Sequence, residues 1–256
     1  MTKKNKIYSI AISTLIVLAV LLYIFLGNNT LCKEIKVKFT NNAKNNFITE
    51  QDVKEIVLSE YIDILSKPIK DVNIKLLEQK IEQNPSIKKA NVYKEINGIL
   101  VVEAEQRIPL VRIINNKNES FYIDKEGALM PLSETRKART VIANGFINES
   151  FTGEATNVMQ DTAFRTLRNI FLMARHISKS KFMNAQIEQI YRKQNGEYEI
   201  IPRVGPHKVL LGIAKNYKEK LNHLKNFYIN ILNKEGWNKY SYISLKFKNQ
   251  IVCTKR

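Results

Sequence analysis

Three histidines, two cysteines and a close pair of carboxylates are the side chains from which this 256-residue chain could assemble chemistry. His176, His207 and His223 stand in unlike surroundings. None belongs to an H-E-x-x-H pattern, the helical spacing that sets two imidazoles and a general base around zinc. No G-x-S-x-G elbow exposes a serine nucleophile, and no Walker or G-x-G-x-x-G loop cradles phosphates. Asp124 and Glu126 fall together in YIDKEG, where a turn explains them better than a pair of catalytic acids. Cys32 and Cys253, at opposite ends of the chain, make neither a disulfide framework nor a metal-ligand spacing; one bridge between them in an oxidising space is the alternative. An active site needs a nucleophile, an acid–base pair or a metal constellation. No catalytic, cofactor-binding or metal-ligating residue is expected here, and the function is to be sought in binding.

The element that must position everything else is Ile7 to Leu26, a run of 20 uncharged residues. A helix of that length spans about 30 Å, the thickness of a bilayer's hydrocarbon core. Lys3, Lys4 and Lys6 precede the run, and Gly27, Asn28, Asn29, Thr30 and Leu31 follow it without charge. The positive-inside rule then places residues 1–6 in the cytoplasm and the remainder outside it. Two alternatives fit less well. A cleaved signal peptide has a shorter apolar region, about 7–15 residues, and a small-residue cleavage site; here Tyr23, Phe25 and Leu26 close the run. A lipoprotein signal at Cys32 would want a small residue where Leu31 stands.

The net charge is +17, from 41 Lys and Arg against 24 Asp and Glu. Such an excess attracts nucleic acid, anionic lipid or an acidic polymer. The lysines are scattered rather than clustered, which reads as a solvated basic surface. A domain outside the cytoplasm meets no nucleic acid, so lipid and wall polymer remain as anionic neighbours. A hydrophobic fraction of 44% is that of an ordinary folded protein.

Beyond the apolar run, Glu34–Thr40 alternates Ile35, Val37 and Phe39 with lysines, a half-buried strand. Thr49 is an N-cap candidate with Asp52 three residues on, ahead of Val53, Ile56, Val57 and Tyr61 at helical spacing. Pro68 punctuates a loop. A second helix runs from Ile74 to about Gln83, with Ile74, Leu77 and Ile81 on one face, until Asn84-Pro85 stops it. Ile87–Glu95 and Ile99–Gln106 flank Asn97-Gly98 as a hairpin. Strand, helix, helix, strand, strand makes a small α+β domain with both helices on one sheet face.

From Ile108 onward short strands dominate: Leu110–Ile114, Phe121–Asp124 and Val141–Ala143, with a turn at Gly127. A helix over Gln160–Ile177 carries Phe164, Leu167, Phe171 and Ala174. A second hairpin, Ile187–Arg192 and Glu197–Pro202, turns at Asn195-Gly196. Lys208–Leu211 follows Gly205-Pro206. The last helix, Asn216–Asn233, presents Tyr217, Leu221, Leu224, Tyr228, Ile231 and Leu232. Tyr240–Lys248 and Gln250–Thr254 close the chain as strands. A terminal strand is a natural sheet edge, and an edge offers free N–H and C=O groups to a partner's strand. The plainer alternative is an ordinary strand blunted by Lys246, Lys248 and Lys255.

In order and spacing these segments resemble the bacterial cell-division family FtsQ/DivIB over nearly the whole length. The likeness lies in DVNIKLLEQKIEQNPSIKKANVYKEINGILVVEAEQRIPLVRI, Asp71–Ile113, with its proline-stopped helix, V-x-K strand, hairpin, and Glu103 or Glu105 ahead of Pro109. YIDKEG, Tyr122–Gly127, matches the family's aspartate-x-x-glycine turn. LLG followed by KLNHL matches its step into the last helix, and YSYISLKF its closing strand.

The resemblance implies a POTRA domain at residues 33–106 and a β-domain at 107–256, a curved, mostly antiparallel sheet flanked by helices. It implies a non-enzymatic scaffold of the divisome in the inner membrane, single-pass and gathered at the septum. The implied partners are FtsB- and FtsL-like coiled-coil proteins, with the septal wall synthase complex and an FtsK-like protein as further members. Carried over residue by residue, the edge that accepts an FtsB strand involves Tyr242, Phe247, Asn249, Gln250 and Val252. The recruitment-sensitive POTRA positions fall at Val72, Lys89, Val92 and Lys94; Val72 and Val92 equally suit a core. The chain departs from the pattern at Ser244, where the family usually carries an acid, and at Lys89, often uncharged. A single-POTRA chaperone for envelope proteins and a membrane-tethered wall enzyme are the competing readings.

Overall fold

The computed structural model describes residues 3–27, 30–41, 47–133 and 137–256, and the side chains of residues 3–7, 9, 10 and 23–27 lie outside that description. Helix α1 covers Lys3–Gly27 and so contains the predicted span. Among the described residues no helix is long and apolar enough to cross a membrane, the ends of the Ile7–Leu26 run being outside the side chains described. Beyond α1 the fold is α+β and falls into two compact units, the first ending at Gln106 and the second running from Arg107 and also taking in Phe47 and Asn84–Ser86.

The first unit is built as its pattern requires. Strand β1 is Glu34–Phe39, and Ile35 and Val37 turn inward from it. Helix α2, Glu50–Glu60, starts on a full capping box. The Thr49 hydroxyl accepts from the Asp52 N–H at 3.2 Å, and the Asp52 carboxylate accepts from the Thr49 N–H at 2.7 Å. Ile48 before the cap and Val53 in the first turn are both buried, the staple that fixes the entry angle. Helix α3, Ile74–Glu82, is capped by Asn73 and buries Leu77 and Ile81. Strands β2, Ile87–Lys94, and β3, Ile99–Gln106, form the hairpin. Its turn is not the two-residue kind that the Asn97-Gly98 pair favours. Only Gly98 takes a positive φ, and the Gly98 N–H bonds to the Glu95 carbonyl, so Gly98 closes a longer loop. The sheet order is β1-β3-β2, with β1 parallel to β3. The central strand β3 is therefore the most buried, and Leu100, Val101, Val102 and Ala104 have no exposed surface.

The second unit is a nine-stranded mixed sheet of order β12-β11-β10-β9-β8-β7-β4-β5-β6. Its strands are β4 Pro109–Ile114, β5 Ser120–Asp124, β6 Leu129–Met130, β7 Val141–Gly145, β8 Ile187–Arg192, β9 Tyr198–Pro202, β10 Lys208–Gly212, β11 Tyr240–Ser244 and β12 Val252–Lys255. Five of the eight pairings are antiparallel; β4–β7, β7–β8 and β10–β11 are parallel. Helix α4, Arg165–Ser178, supplies the cover, burying Leu167, Ile170, Phe171, Met173, Ala174 and Ile177. At about 1.5–3 kcal/mol for each large apolar side chain buried, that stripe is a principal stabiliser of the unit. The expected turn at Asp124–Gly127 is present. The Asp124 carboxylate accepts from the N–H groups of Glu126 and Ala128 at 2.8 Å each and pairs with Arg107 at 2.9 Å.

Three expectations are corrected. A short helix, α5 at Lys181–Gln186, precedes β8, where no helix was expected. The last helix is α6, Tyr217–Phe227, continued by a π turn over Tyr228–Leu232 and a final turn at Asn233–Glu235. The wider π turn takes one extra residue, so Leu232 is buried while Ile231, expected on the apolar stripe, is 39% exposed. The closing strand ends at Ser244 rather than Lys248. Leu245 donates its N–H back to Leu210, and Asn249 adopts a left-handed conformation in the connecting loop.

Candidate partner interface

The C-terminal hairpin is held from the inside. β11 lies parallel to β10, with Tyr242 opposite Lys208 and Ile243 opposite Val209. β12 returns antiparallel, with Ile243 opposite Cys253 and Ser244 opposite Val252. Ile243 and Leu245 point into the core, and Ile251 and Cys253 pack against it. By alternation Tyr242, Ser244, Val252 and Thr254 share the outer face. Tyr242 is 41% and Val252 47% exposed. β12 is the terminal strand of its sheet, so one side of it has no strand neighbour among the described residues. Arg256 donates its N–H to the Lys239 carbonyl, inward. Strand alternation then turns the backbone N–H groups of Cys253 and Lys255 toward the open side, while the Lys255 carbonyl accepts from the Ser241 hydroxyl at 3.4 Å.

The five residues expected at this edge are thus divided. Tyr242 and Val252 sit on β11 and β12, but Phe247, Asn249 and Gln250 lie in the loop that joins the two strands. Phe247 is 57% exposed there. The loop faces α6 across a groove of about 240 Å³ that Ile213, Glu219 and His223 also line. A second groove of about 320 Å³ runs between Asn249 and Ile251 on one side and Asn226, Asn230 and Ile231 on the other. Sequence reasoning missed this helical wall, because the π turn that brings Ile231 to the surface has no signature in the residue spacing.

Electrostatics fix the loop's base. The Lys246 ammonium lies 2.6 Å from Glu197, and this hydrogen bond holds the Glu197 carboxyl below the usual range. Lys220 donates to the carbonyls of Leu211 and Ile213, and its partial burial lowers its pKa. Under the same helix His207 is buried. Its Nε2 lies 3.0 Å from the Tyr228 hydroxyl and its ring stacks beside Trp237. Burial pushes the His207 pKa down and that of Tyr228 up, so both are neutral.

The four positions expected in the first unit are scattered. Val72 and Val92 are both 3% exposed and belong to the core. Lys94 is half-buried and donates to the Lys70 carbonyl at 3.0 Å. Lys89 alone is exposed, on the face opposite Val92. The edge they line is occupied. Glu82 accepts from the Ala90 N–H at 3.0 Å, and Glu78 accepts from the Val92 N–H at 2.9 Å. Carboxylates from α3 therefore stand where a partner's strand would bond to β2.

Among the described residues no group of three His, Cys, Asp or Glu could hold a metal ion. His176 is 3.1 Å from the Asn222 amide oxygen and makes no acid–base pair. Both cysteines are free thiols, and burial raises the pKa of each.

A strand-edged α+β protein with a POTRA-type first unit is the class that this geometry defines. Residues 30–105 match the POTRA-like domain family, and residues 108–254 match the family described as FtsQ/DivIB, C-terminal related. No curated protein matches the chain. The chain belongs to the FtsQ/DivIB family, whose domains point to a role in cell division and are non-enzymatic.

Proposed function

We propose that this protein is a non-enzymatic divisome scaffold that receives a partner's β-strand at the open edge of β12. The observation that carries the proposal is the contrast between two sheet edges. The β2 edge is capped by Glu78 and Glu82, whereas β12 ends its sheet beside an exposed Phe247 and the groove along α6. An added strand gains main-chain hydrogen bonds at the edge, and the alternating side chains Tyr242 and Val252 select it. The partners that the family relationship favours are FtsB- and FtsL-like coiled-coil proteins, with other divisome members around them. Residues 33–106 act as the POTRA domain and 107–256 as the partner-binding β-domain. The capped β2 edge also argues against a chaperone that would lend that edge of its POTRA sheet to unfolded clients.

α1 is the anchor in this reading. Its described side chains from Ala11 to Leu22, and Tyr8 before them, are all exposed, with Leu15 at 68%. Such a surface loses about 25 cal/mol per Å² in water and needs an apolar phase. With Lys3, Lys4 and Lys6 on the cytoplasmic side, the two units stand outside the inner membrane at the septum. Tethering confines partners to two dimensions and raises their effective concentration.

The test is capture of partners from membranes by the tagged full-length chain, comparing wild type, Lys255→Ala and Lys255→Pro. Proline deletes an outward N–H, while alanine deletes only the charge. Small coiled-coil division proteins are expected with wild type and Lys255→Ala and not with Lys255→Pro, all three melting alike. Retention by Lys255→Pro would move the partner site away from β12. Absence of division proteins from the wild-type capture would overturn the scaffold.

A further inference from the structure

One groove of the second unit is lined by cations without an acid. It encloses about 340 Å³ beside α5, where β7 and β8 begin and β9 ends, and Arg139, Lys181 and Arg203 border it with Thr140 and Asn184. Its walls are tied together. Arg203 donates its N–H to the Gln186 carbonyl at 2.7 Å, and the Gln186 side chain donates to the Val204 carbonyl at 3.2 Å. The three cations are exposed, and none makes an ion pair or side-chain hydrogen bond among the described residues. The Thr140 hydroxyl oxygen is closed off from solvent and has no hydrogen-bond partner there. The groove between α6 and the Phe247 loop, which also bears lysines, differs. Lys246 is paired with Glu197, Lys220 is committed to two carbonyls, and Glu219 lines the wall.

Three like charges converging without a counter-ion repel one another, and a bound anion removes that repulsion. Two guanidinium forks match the paired oxygens of a phosphate, a lysine adds a point charge, and an asparagine amide adds a neutral donor. We propose that this groove binds a phosphate group, supplied either as free phosphate or as the phosphodiester of an anionic lipid headgroup. The site is separate from the β12 edge and does not depend on the partner reading.

Isothermal titration of the full-length chain in neutral detergent at low salt tests it, with inorganic phosphate and glycerophosphoglycerol as probes. At least one probe is expected to bind saturably at one site. Binding of phosphate alone identifies a free-anion site, and binding of the diester identifies a headgroup site. R139Q/K181Q/R203Q is expected to weaken that binding about tenfold, from three exposed charge contacts. K36Q/K218Q/K234Q removes the same charge from exposed positions elsewhere and should leave binding intact. Single R139Q and R203Q variants serve if the triple variant melts below wild type. The absence of saturable binding by either probe, or an equal loss in the K36Q/K218Q/K234Q control, would overturn the proposal.

Discussion

The carboxylate of Glu78 accepts a 2.9 Å hydrogen bond from the backbone N–H of Val92, and Glu82 does the same for Ala90 at 3.0 Å. Two side chains of α3 thereby fill the hydrogen-bonding positions of an edge strand. Unpaired strand edges invite association, and a charged cover is one of the ways in which proteins close them. The double variant Glu78→Ala/Glu82→Ala should expose both amides. Hydrogen exchange at Ala90 and Val92 is expected to accelerate, with a stability loss of about 1 kcal/mol per bond. Unchanged exchange at both amides would show that the carboxylates do not cap the edge.

His207 should impose a pH dependence on stability. Burial lowers its pKa in the folded state below the ordinary value, while the unfolded chain titrates near about 6.5. The unfolded state therefore takes up the proton first as pH falls. The stability contributed by neutral His207 is complete above about pH 6.5 and declines as pH drops through the unfolded pKa toward the folded one. Tyr228, its hydrogen-bond partner, stays neutral throughout because burial raises its own pKa. Melting temperature recorded from pH 8 to pH 5 should fall in that window for wild type and flatten in His207→Phe. A wild-type curve that matches the variant's would remove His207 from the account.

Asp124 is a structural carboxylate rather than a catalytic one. Its side chain is 2% exposed, organises two backbone N–H groups and faces Arg107. Asp124→Ala leaves a largely buried guanidinium without its partner and should cost about 3 kcal/mol or more in urea denaturation. Asp124→Asn keeps an acceptor for the turn but loses the charge, and should fall between alanine and wild type. Equal losses in the two variants would mean that the ion pair, not the turn, carries the effect.

The capping box of α2 offers a local test. Thr49→Ala removes the acceptor for the Asp52 N–H and should destabilise the first unit by about 1 kcal/mol. Thermal unfolding of the full-length chain checks it, with Thr49→Ser as the variant that should hold wild-type stability.

Residue spacing went furthest where a few neighbours decide the outcome. The Thr49–Asp52 cap, the apolar faces of α2 and α3, the two glycine-closed hairpins and the Asp124 turn each depend on residues within a few positions of one another. Period and turn chemistry are local properties, so the strand–helix–helix–strand–strand order could be read directly. The family resemblance, resting on the same segments, agrees with the match of residues 108–254.

The candidate site was legible only in part. Tyr242 and Val252 could be placed on strands by alternation, but FKNQ carries the same texture and becomes a loop. Leu245 bonding to Leu210 ends the strand, and Asn249 turns the chain. Val72 and Val92 read equally as contacts or as core, and both are buried in the core cluster of the first unit. Ile231 and Leu232 are adjacent and chemically alike; the π turn alone exposes one and buries the other.

By itself the sequence determined the element order of the first unit, the basic surface and the lack of any motif for catalysis, since these follow from composition, period and neighbouring residues. The tertiary structure decided which strands became edges, that Glu78 and Glu82 close one of them, and that Arg139, Lys181 and Arg203 meet around one groove. Those facts depend on strand order and on helix placement across the sheets. They join residues far apart in the chain, whose proximity is fixed by burial of the two cores and not by local spacing.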